Sequence, residues 1–321
     1  MSSFAVSPSL ANRLLRNPLI PLGLLLVALV IALEIMQPGI VSPRWLGNSI
    51  KFAIPLAMMA ACQTLTMLTG GIDLSVGTIG TLAGFLTATL SPLIGVPAAI
   101  AIALLCAILF GLFNGIGVAF FRVHPLIMTL GTGLIGTGCL LVYQRYVIAT
   151  GTLIPDFLVF LGTGRTFDVP NGLAVFLPFA ALLIWAQRHT GFGRLLYAVG
   201  SNETAARLSG VRVWQVHLAL YMVSGLIAGL TGLLYLGLVK TPSLSLALPL
   251  DLPSVAATVI GGTSIFGGRG GFGGTILGAL ILTVLGTMLT LLDMPEGARR
   301  VIYGLIILAV TALYNRLTEK G

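Results

Sequence analysis

The chain has 321 residues, of which 57 % are hydrophobic and 8 % are charged, and its formal net charge is +8. An average soluble protein has roughly 25 % charged residues, so the 17 Lys and Arg and the 9 Asp and Glu are too few to cover a soluble domain of this size. The composition excludes a cytosolic enzyme, a disordered chain and a disulfide scaffold. It predicts an all-α polytopic membrane protein with a single transmembrane domain over residues 1–321.

The apolar runs predict about ten transmembrane helices, because one span needs roughly 20 apolar residues. The first run lacks a small-residue cleavage site after it, so we expect a retained helix rather than a signal peptide. The eighth span is short and interrupted by glycine. The predicted spans are 19–37, 51–69, 74–91, 96–119, 125–147, 171–187, 215–238, 252–266, 272–291 and 298–315.

Basic residues set the predicted topology. Ten spans place both termini on one side of the membrane, and cytoplasmic termini put ten of the 17 Lys and Arg inside. The polar connection at 188–214, with four Arg, favours this orientation most strongly. Because the positive charge lies between apolar stretches, it indicates membrane topology rather than nucleic-acid binding.

Glycine is abundant, with 41 residues, and many glycines lie within the predicted spans. Small residues let helices approach closely where lipid supplies no hydrophobic drive, so we expect a bundle packed through glycine. The second span ends in Thr-Gly-Gly at 69–71, the eighth span carries Ile-Gly-Gly at 260–262, and another span follows each pair. Such paired interruptions are typical of repeat-built transporters and predict an internal pseudo-repeat with interrupted or re-entrant segments.

Asp73 lies between two apolar spans, in the segment from Leu68 to Gly77. A carboxylate at this depth is costly unless it is paired, hydrated or interfacial. It could line a translocation pathway or fix the turn between the spans, or it could cap the next helix, and these roles are compatible. Asn114 also needs a partner inside the membrane. The candidate pathway residues are Thr69, Asp73, Ser75, Asn114, Thr129, Thr263 and Ser264.

The segment 190–211 predicts a short helix on the cytoplasmic side. Ser201 or Asn202 can cap its N-terminus, Glu203 and Arg207 have the favourable i,i+4 order, and Gly210 can end it in the left-handed conformation. A helix of about two turns is marginal alone, so it needs a surface to pack against. We interpret it as a docking helix for a cytosolic partner, the alternative being a solvated loop. The candidate coupling residues are Gly200, Ser201, Asn202, Glu203, Ala205, Ala206, Arg207, Ser209 and Gly210.

The sequence contains no convincing catalytic or metal centre. The glycine-rich stretch 259–278 lacks Gly-Lys-Ser/Thr, so it is not a P-loop, and a broken span explains it better. Cys62, Cys106 and Cys139 lie in apolar runs without metal-ligand spacing, and we expect them to be buried small hydrophobes. We predict no cofactor, no metal and no nucleophile–base pair.

Four motifs in order resemble the membrane permeases of bacterial ATP-binding-cassette (ABC) importers for monosaccharides, of the ribose, xylose, arabinose and galactose type, with autoinducer-2 permeases close by. The resemblance covers about residues 20–315. Branched-chain amino acid permeases usually lack the Gly-Gly-Ile-Asp-Leu-Ser pattern at 70–75. The motifs are Thr69–Gly77, Asn114–Gly115 with Pro125–Gly131, Phe192–Gly210, and Ile260–Gly268 with Gly274–Ala279.

The resemblance implies a multi-pass protein of the bacterial inner membrane that works with separate subunits. These are a cytosolic ABC ATPase, a periplasmic sugar-binding protein and a second permease, identical or related. ATP hydrolysis would occur on the ATPase, and a pentose or hexose would enter the cytoplasm by alternating access. The alternatives are a permease for another small polar solute (autoinducer-2, a nucleoside or a branched-chain amino acid) or an ion-coupled secondary transporter.

Overall fold

The computed structural model describes residues 19–147, 151–295, 297–305 and 308, and this part of the chain is mostly helical. Its helices are α1 (Leu19–Met36), α2 (Pro43–Leu68), α3 (Val76–Ile94), α4 (Val96–Ala119), α5 (Pro125–Val147), α6 (Asp156–Thr163), α7 (Leu173–His189), α8 (Gly191–Ser201), α9 (Glu203–Leu208), α10 (Val213–Val239), α11 (Asp251–Ile260) and α12 (Phe272–Leu291). A 3₁₀ turn, Leu248–Leu250, precedes α11, and a two-stranded hairpin, β1 (Arg165–Thr166) and β2 (Val169–Pro170), lies between α6 and α7.

Seven of the described helices are long and apolar enough to cross a membrane: α1–α5, α10 and α12. Helices α7 and α8 qualify as one further span, bent by 64° at Thr190. The predicted eighth span, 252–266, is wrong in extent, because α11 ends at Ile260 before a glycine loop. The predicted span 298–315 and both termini lie largely outside the described residues. A polytopic all-α protein is confirmed, and the number ten stays a prediction.

Helix α10 lies at the centre of the bundle, where it packs against α2, α3, α4 and α6. Helix α2 is also almost wholly buried, because α10, α11 and α12 cover it. Helix α1, in contrast, packs mainly on α12, and Leu33 is its one buried residue. The core therefore surrounds the segment 71–75 of the connection between α2 and α3.

The α4–α10 contact is built on glycines spaced four residues apart on both helices. A Cβ at Gly111 would overlap the Tyr221 carbonyl, and one at Gly225 would overlap the Ala107 carbonyl. Only glycine lets the two backbones approach this closely, which is how helices pack where lipid gives no hydrophobic drive. The predicted packing through small residues is confirmed for this pair.

We expect Gly111→Ala to lower the stability of the bundle by about 1–3 kcal/mol, the usual cost of overpacking. The added methyl must push α10 away from α4. Gly138→Ala is the matched control, since a Cβ at this α5 glycine meets no atom within 4 Å. Thermal unfolding in detergent should show a lower midpoint for Gly111→Ala alone. Equal midpoints in the two variants would contradict the packing argument.

Two helices end at the Gly-Gly pairs with the same backbone arrangement. Gly70 has φ +79° and Gly262 has φ +85°, and each follows a helix C-terminus closed by the same pair of backbone hydrogen bonds. Gly210 after α9 ends its helix in the same way, so this motif is a general helix terminator here. The internal pseudo-repeat therefore stays a prediction.

The two ends of the bundle are distinct. The β1–β2 hairpin lies beside the start of α2, where the Arg165 guanidinium donates to Asn48 Oδ1 at 2.6 Å. At the other end of α2, Leu68 contacts α8 and the glycine loop 261–271. We call the second end the loop end.

The three cysteines were predicted to be buried. Cys62 is buried as expected, but Cys106 is only half-buried and Cys139 is exposed on α5, so the prediction of burial is wrong for Cys139.

Candidate functional site

The Asp73 carboxylate is the centre of a buried hydrogen-bond network, and Asp73 is only 1 % exposed. Its Oδ1 accepts from the Ser75 backbone N–H at 3.0 Å and from Ser75 Oγ at 2.6 Å. Its Oδ2 accepts from Ser224 Oγ of α10 at 3.2 Å. Three donors from two segments therefore hold the carboxylate in place.

The network extends from Ser75 to α4 and α5. Asn114 Nδ2 donates to Ser75 Oγ at 2.8 Å, and Thr132 Oγ1 donates to Asn114 Oδ1 at 2.6 Å. Thr129, one turn earlier on α5, accepts from the Leu74 N–H at 3.1 Å. The intramembrane partner that Asn114 required is thus a pair of hydroxyls on neighbouring segments.

The backbone of Asp73 is fixed by α2. Gln63 Nε2 donates to the Asp73 carbonyl at 2.6 Å, and Gln63 Oε1 accepts from the Asp73 N–H at 3.2 Å. One amide side chain therefore satisfies both backbone groups of a residue that lies outside any helix. Since Gln63 is fully buried, this pairing is available only while α2 and the segment 69–75 keep their present register.

A second carboxylate reaches the same place from a distant part of the chain. Asp251 Oδ1, in the first turn of α11, accepts from the Gly77 N–H at 2.6 Å. A Cβ at Gly77 would overlap this carboxylate, so only glycine permits the contact. Both carboxylates therefore accept from N–H groups at the start of α3, where the helix dipole favours negative charge.

Hydrogen bonds and the α3 dipole, rather than a cation, stabilise Asp73. No Lys, Arg or His within the described residues forms an ion pair with it. Helix α3, which follows Asp73, begins at Val76. Its N-cap residue is Ser75, and the Ser75 side chain makes no capping hydrogen bond. The interpretation of Asp73 as the N-cap residue is therefore wrong by two positions, and its role as the support of the turn agrees with the structure.

The remaining candidate pathway residues lie outside this network. Thr69 Oγ1 donates to the Thr66 carbonyl, Thr263 Oγ1 accepts from the Gly271 N–H, and Ser264 Oγ accepts from the Phe266 N–H. The two loops are neighbours, because the Phe266 carbonyl lies beside Gly70. Four members or neighbours of the network were not predicted from the sequence: Gln63, Thr132, Ser224 and Asp251.

The short helix predicted in the segment 190–211 is present as α9, and an additional helix, α8, precedes it. Asn202 is the N-cap and accepts from the Ala205 N–H at 2.9 Å. Glu203 pairs with Arg207 as the i,i+4 spacing predicts, and Gly210 has φ +85° after the helix. The choice between Ser201 and Asn202 as cap is thereby decided for Asn202.

Helix α9 projects from the bundle. Its residues are exposed except Ala206, and the Leu208 side chain is 84 % exposed. A leucine at the tip of a short polar helix has no hydrophobic partner within the described chain. The exposed Leu208 gives α9 an apolar tip.

Gly200 joins this projection to the transmembrane helices. A Cβ there would overlap the carbonyl of Leu68, the last residue of α2, and lie 2.7 Å from the Gly268 nitrogen. The Gly268 N–H in turn donates to the Leu68 carbonyl at 3.0 Å. Three backbones thus meet at one point, which we call the Gly200 junction: the end of α8, the end of α2 and the glycine loop 261–271.

The chain is similar in sequence to known membrane transport proteins. The model of a family described as the branched-chain amino acid transport system permease component matches residues 46–311. The ribose import permease RbsC of Escherichia coli K12 is 32 % identical over 91 % of this chain and 92 % of its own length. No solved structure matches the chain.

Two further relatives have the same level of similarity. The probable ABC transporter permease YphD of Escherichia coli K12 is 32 % identical over 94 % of this chain and 91 % of its own length. The autoinducer 2 import permease LsrC of Escherichia coli O9:H4 is 32 % identical over 90 % of this chain and 86 % of its own length. With a family match over most of the chain and relatives above 30 % identity along nearly all of it, the chain belongs to the family of ABC transporter permeases that these ribose and autoinducer 2 import permeases represent.

Proposed function

We propose that this chain is the permease subunit of an ABC importer that moves a monosaccharide into the cytoplasm by alternating access. The relatives support the class, since they include permeases named for ribose and for autoinducer 2 import. The chain itself would not hydrolyse ATP, which is the task of a separate cytosolic ATPase. A periplasmic binding protein would deliver the sugar, and a second permease, identical or related, would complete the pathway.

The observation that carries this proposal is α9 with its exposed Leu208, connected to the core at the Gly200 junction. ATPase closure would move α9, and the junction would transmit this motion to both α2 and the glycine loop 261–271. The loop end is then cytoplasmic, which agrees with the excess of basic residues assigned to that side and with cytoplasmic termini.

The Asp73 network supports a two-state mechanism. It connects α2, α4, α5 and α10 to the start of α3. A permease needs two states of similar free energy that its partners bias, and discrete hydrogen-bond networks provide such alternatives. We propose that Asp73, Ser75, Asn114 and Thr129 lie along the pathway that opens when α3 shifts, with Thr69, Thr263 and Ser264 at its loop end.

The proposal is tested by purifying the tagged protein from native membranes in mild detergent and identifying what comes with it. We expect a co-purifying ABC ATPase and ATP-dependent uptake in reconstituted vesicles supplied with the binding protein. Ribose, other pentoses, hexoses and autoinducer 2 should be compared as substrates. Uptake that needs an ion gradient and no ATPase would contradict the proposal.

We expect Leu208→Glu to weaken ATPase binding about tenfold or more. Burying a leucine contributes roughly 1.5–3 kcal/mol, and a charge at this position would also be desolvated on docking. The measurement is the amount of ATPase retained with the permease. Because Leu208 is exposed, the variant should insert and fold normally.

Phe167→Glu is the matched control for Leu208→Glu. Phe167 is 96 % exposed and lies in the β1–β2 hairpin at the opposite end of the bundle. The same change from apolar to acidic should leave the ATPase bound. Full retention of ATPase by Leu208→Glu, or equal loss in both variants, would exclude α9 as the docking helix.

A further inference from the structure

A cavity of about 440 Å³ lies at the loop end, between the start of α1, the end of α7, α8 and the glycine loop before α12. It is separate from the Asp73 network and from the exposed tip of α9. Its polar lining consists of backbone groups at the N-terminus of α12 and of the Gln187, Arg188, Tyr197 and Arg269 side chains. Each of these is a source of hydrogen-bond donors or positive charge.

The N-terminus of α12 faces this cavity, and its N-cap residue has no side chain that could cap it. Gly271 is its N-cap residue, and within the described chain the Gly273 N–H has no acceptor. A Cβ on Gly273 would meet no atom within 4 Å, so the space beside it is open. The first N–H groups of a helix and its dipole together favour an anion at such a position.

Gln187 supplies a second, independent observation. It is 4 % exposed and lines the cavity, and its Oε1 accepts from the Phe272 N–H at 3.0 Å. This bond fixes the orientation of the amide, which leaves Nε2 as a buried donor with no partner within the described residues. A buried unsatisfied donor is costly, and an acceptor placed in the cavity would satisfy it.

Two arginines complete the positive lining. Arg188 and Arg269 are exposed, and neither forms an ion pair with an Asp or Glu of the described residues. Residues 1–18 contain no Asp or Glu, so the segment before Leu19 brings no carboxylate to this site. Tyr197 donates its hydroxyl to the Gly270 carbonyl at 2.8 Å and so holds the loop at the wall of the cavity.

We propose that this cavity binds a phosphate group, as the headgroup of an anionic phospholipid or as free inorganic phosphate. Guanidinium groups, the unpaired Gly273 N–H at a helix N-terminus and an unpartnered amide donor together match the acceptor oxygens of a phosphate. The cavity opens beside the apolar Leu19 of α1 and Ile184 of α7, at the loop end of the bundle. Bound phosphate would fix the loop 261–271, one of the three segments at the Gly200 junction.

The test uses the full-length protein in neutral detergent and follows its unfolding midpoint. One arm adds inorganic phosphate at constant ionic strength. The other adds phosphatidylglycerol, with phosphatidylcholine as the neutral comparison. A ligand that binds the folded state raises the midpoint, and the rise grows with the logarithm of the ratio of ligand concentration to Kd. Only the assignment of this end to the cytoplasm rests on the proposed function, and the measurement does not depend on uptake.

The variant Arg188→Gln/Arg269→Gln should lose the rise and weaken binding about tenfold or more. The control is Arg194→Gln, which also replaces an arginine by a neutral amide. Arg194 is an exposed residue of α8 and does not line the cavity. A rise with phosphate identifies the free anion as a ligand, and a rise with phosphatidylglycerol alone identifies the lipid headgroup. No rise in either arm, or the same rise in the double variant as in the unmodified protein, would overturn the proposal.

Discussion

Replacing Asp73 with alanine is expected to lower the free energy of unfolding by about 3 kcal/mol and to abolish uptake. The change leaves the Ser75 N–H, the Ser75 hydroxyl and the Ser224 hydroxyl without their acceptor in a site closed to water. A buried donor without an acceptor costs roughly 1–3 kcal/mol. The start of α3 would also lose one of the two carboxylates whose negative charge interacts favourably with the positive end of the helix dipole. The checks are the amount of protein in the membrane and the unfolding midpoint.

Asp73→Asn separates the structural role from the transport role. Its Oδ1 still accepts from Ser75, so the protein should reach the membrane at nearly normal levels, but the negative charge and one acceptor oxygen are lost. We expect reduced transport with retained expression. Asp156→Asn, at an exposed carboxylate in the first turn of α6, is the matched control. Wild-type uptake in both Asp73 variants would reduce Asp73 to a dispensable support of the turn.

Gly200→Ala is expected to uncouple ATP hydrolysis from uptake and to reduce uptake about tenfold or more. The added methyl would overlap the Leu68 carbonyl, so α8 must move away from α2 and from Gly268. Overpacking of this kind costs roughly 1–3 kcal/mol, and about 1.4 kcal/mol is enough to shift a balanced two-state equilibrium tenfold. Since α9 is untouched, the ATPase should still bind and hydrolyse ATP. The measurement is uptake per ATP hydrolysed in reconstituted vesicles.

Gly191→Ala is the control on the same helix. Gly191 begins α8, and a Cβ there meets no atom within 4 Å. This variant should transport normally with an unchanged ratio of uptake to ATP hydrolysis. If Gly200→Ala keeps the unmodified ratio, the junction does not transmit the motion of α9, and another contact of the loop end must do so.

The sequence predicted the long spans well because each is a continuous apolar run bounded by glycine, proline or charge. Helices α4 and α5 have the predicted ends, and α9 has the predicted cap, ion pair and terminating glycine. These features depend on residues that are neighbours in the chain. Helix α8 was missed because its six apolar residues lie within a connection, 188–214, that was read as polar as a whole, and its bend against α7 depends on tertiary packing.

The site was less predictable because its contacts join distant segments. The Asp251 carboxylate reaches Gly77 across 174 positions, and Ser224 reaches Asp73 across 151. No local pattern reports such pairs. Gln63 could have been predicted as a member of the network from the sequence, because it is a lone amide within an apolar run just before the Asp73 segment. Its need for a partner in the membrane pointed to the nearest irregular backbone.

The bond from the Gly268 N–H to the Leu68 carbonyl has a thermodynamic consequence for the whole transporter. Helix α2 holds the Asp73 backbone through Gln63, and the same helix ends at the junction next to α9. If ATP binding at the ATPase changes the solute affinity of the pathway through this helix by some factor, solute in the pathway must change ATP affinity by the same factor. Loading of the permease should therefore be measurable from the cytosolic side, as a solute-dependent shift in nucleotide binding, without following transport at all.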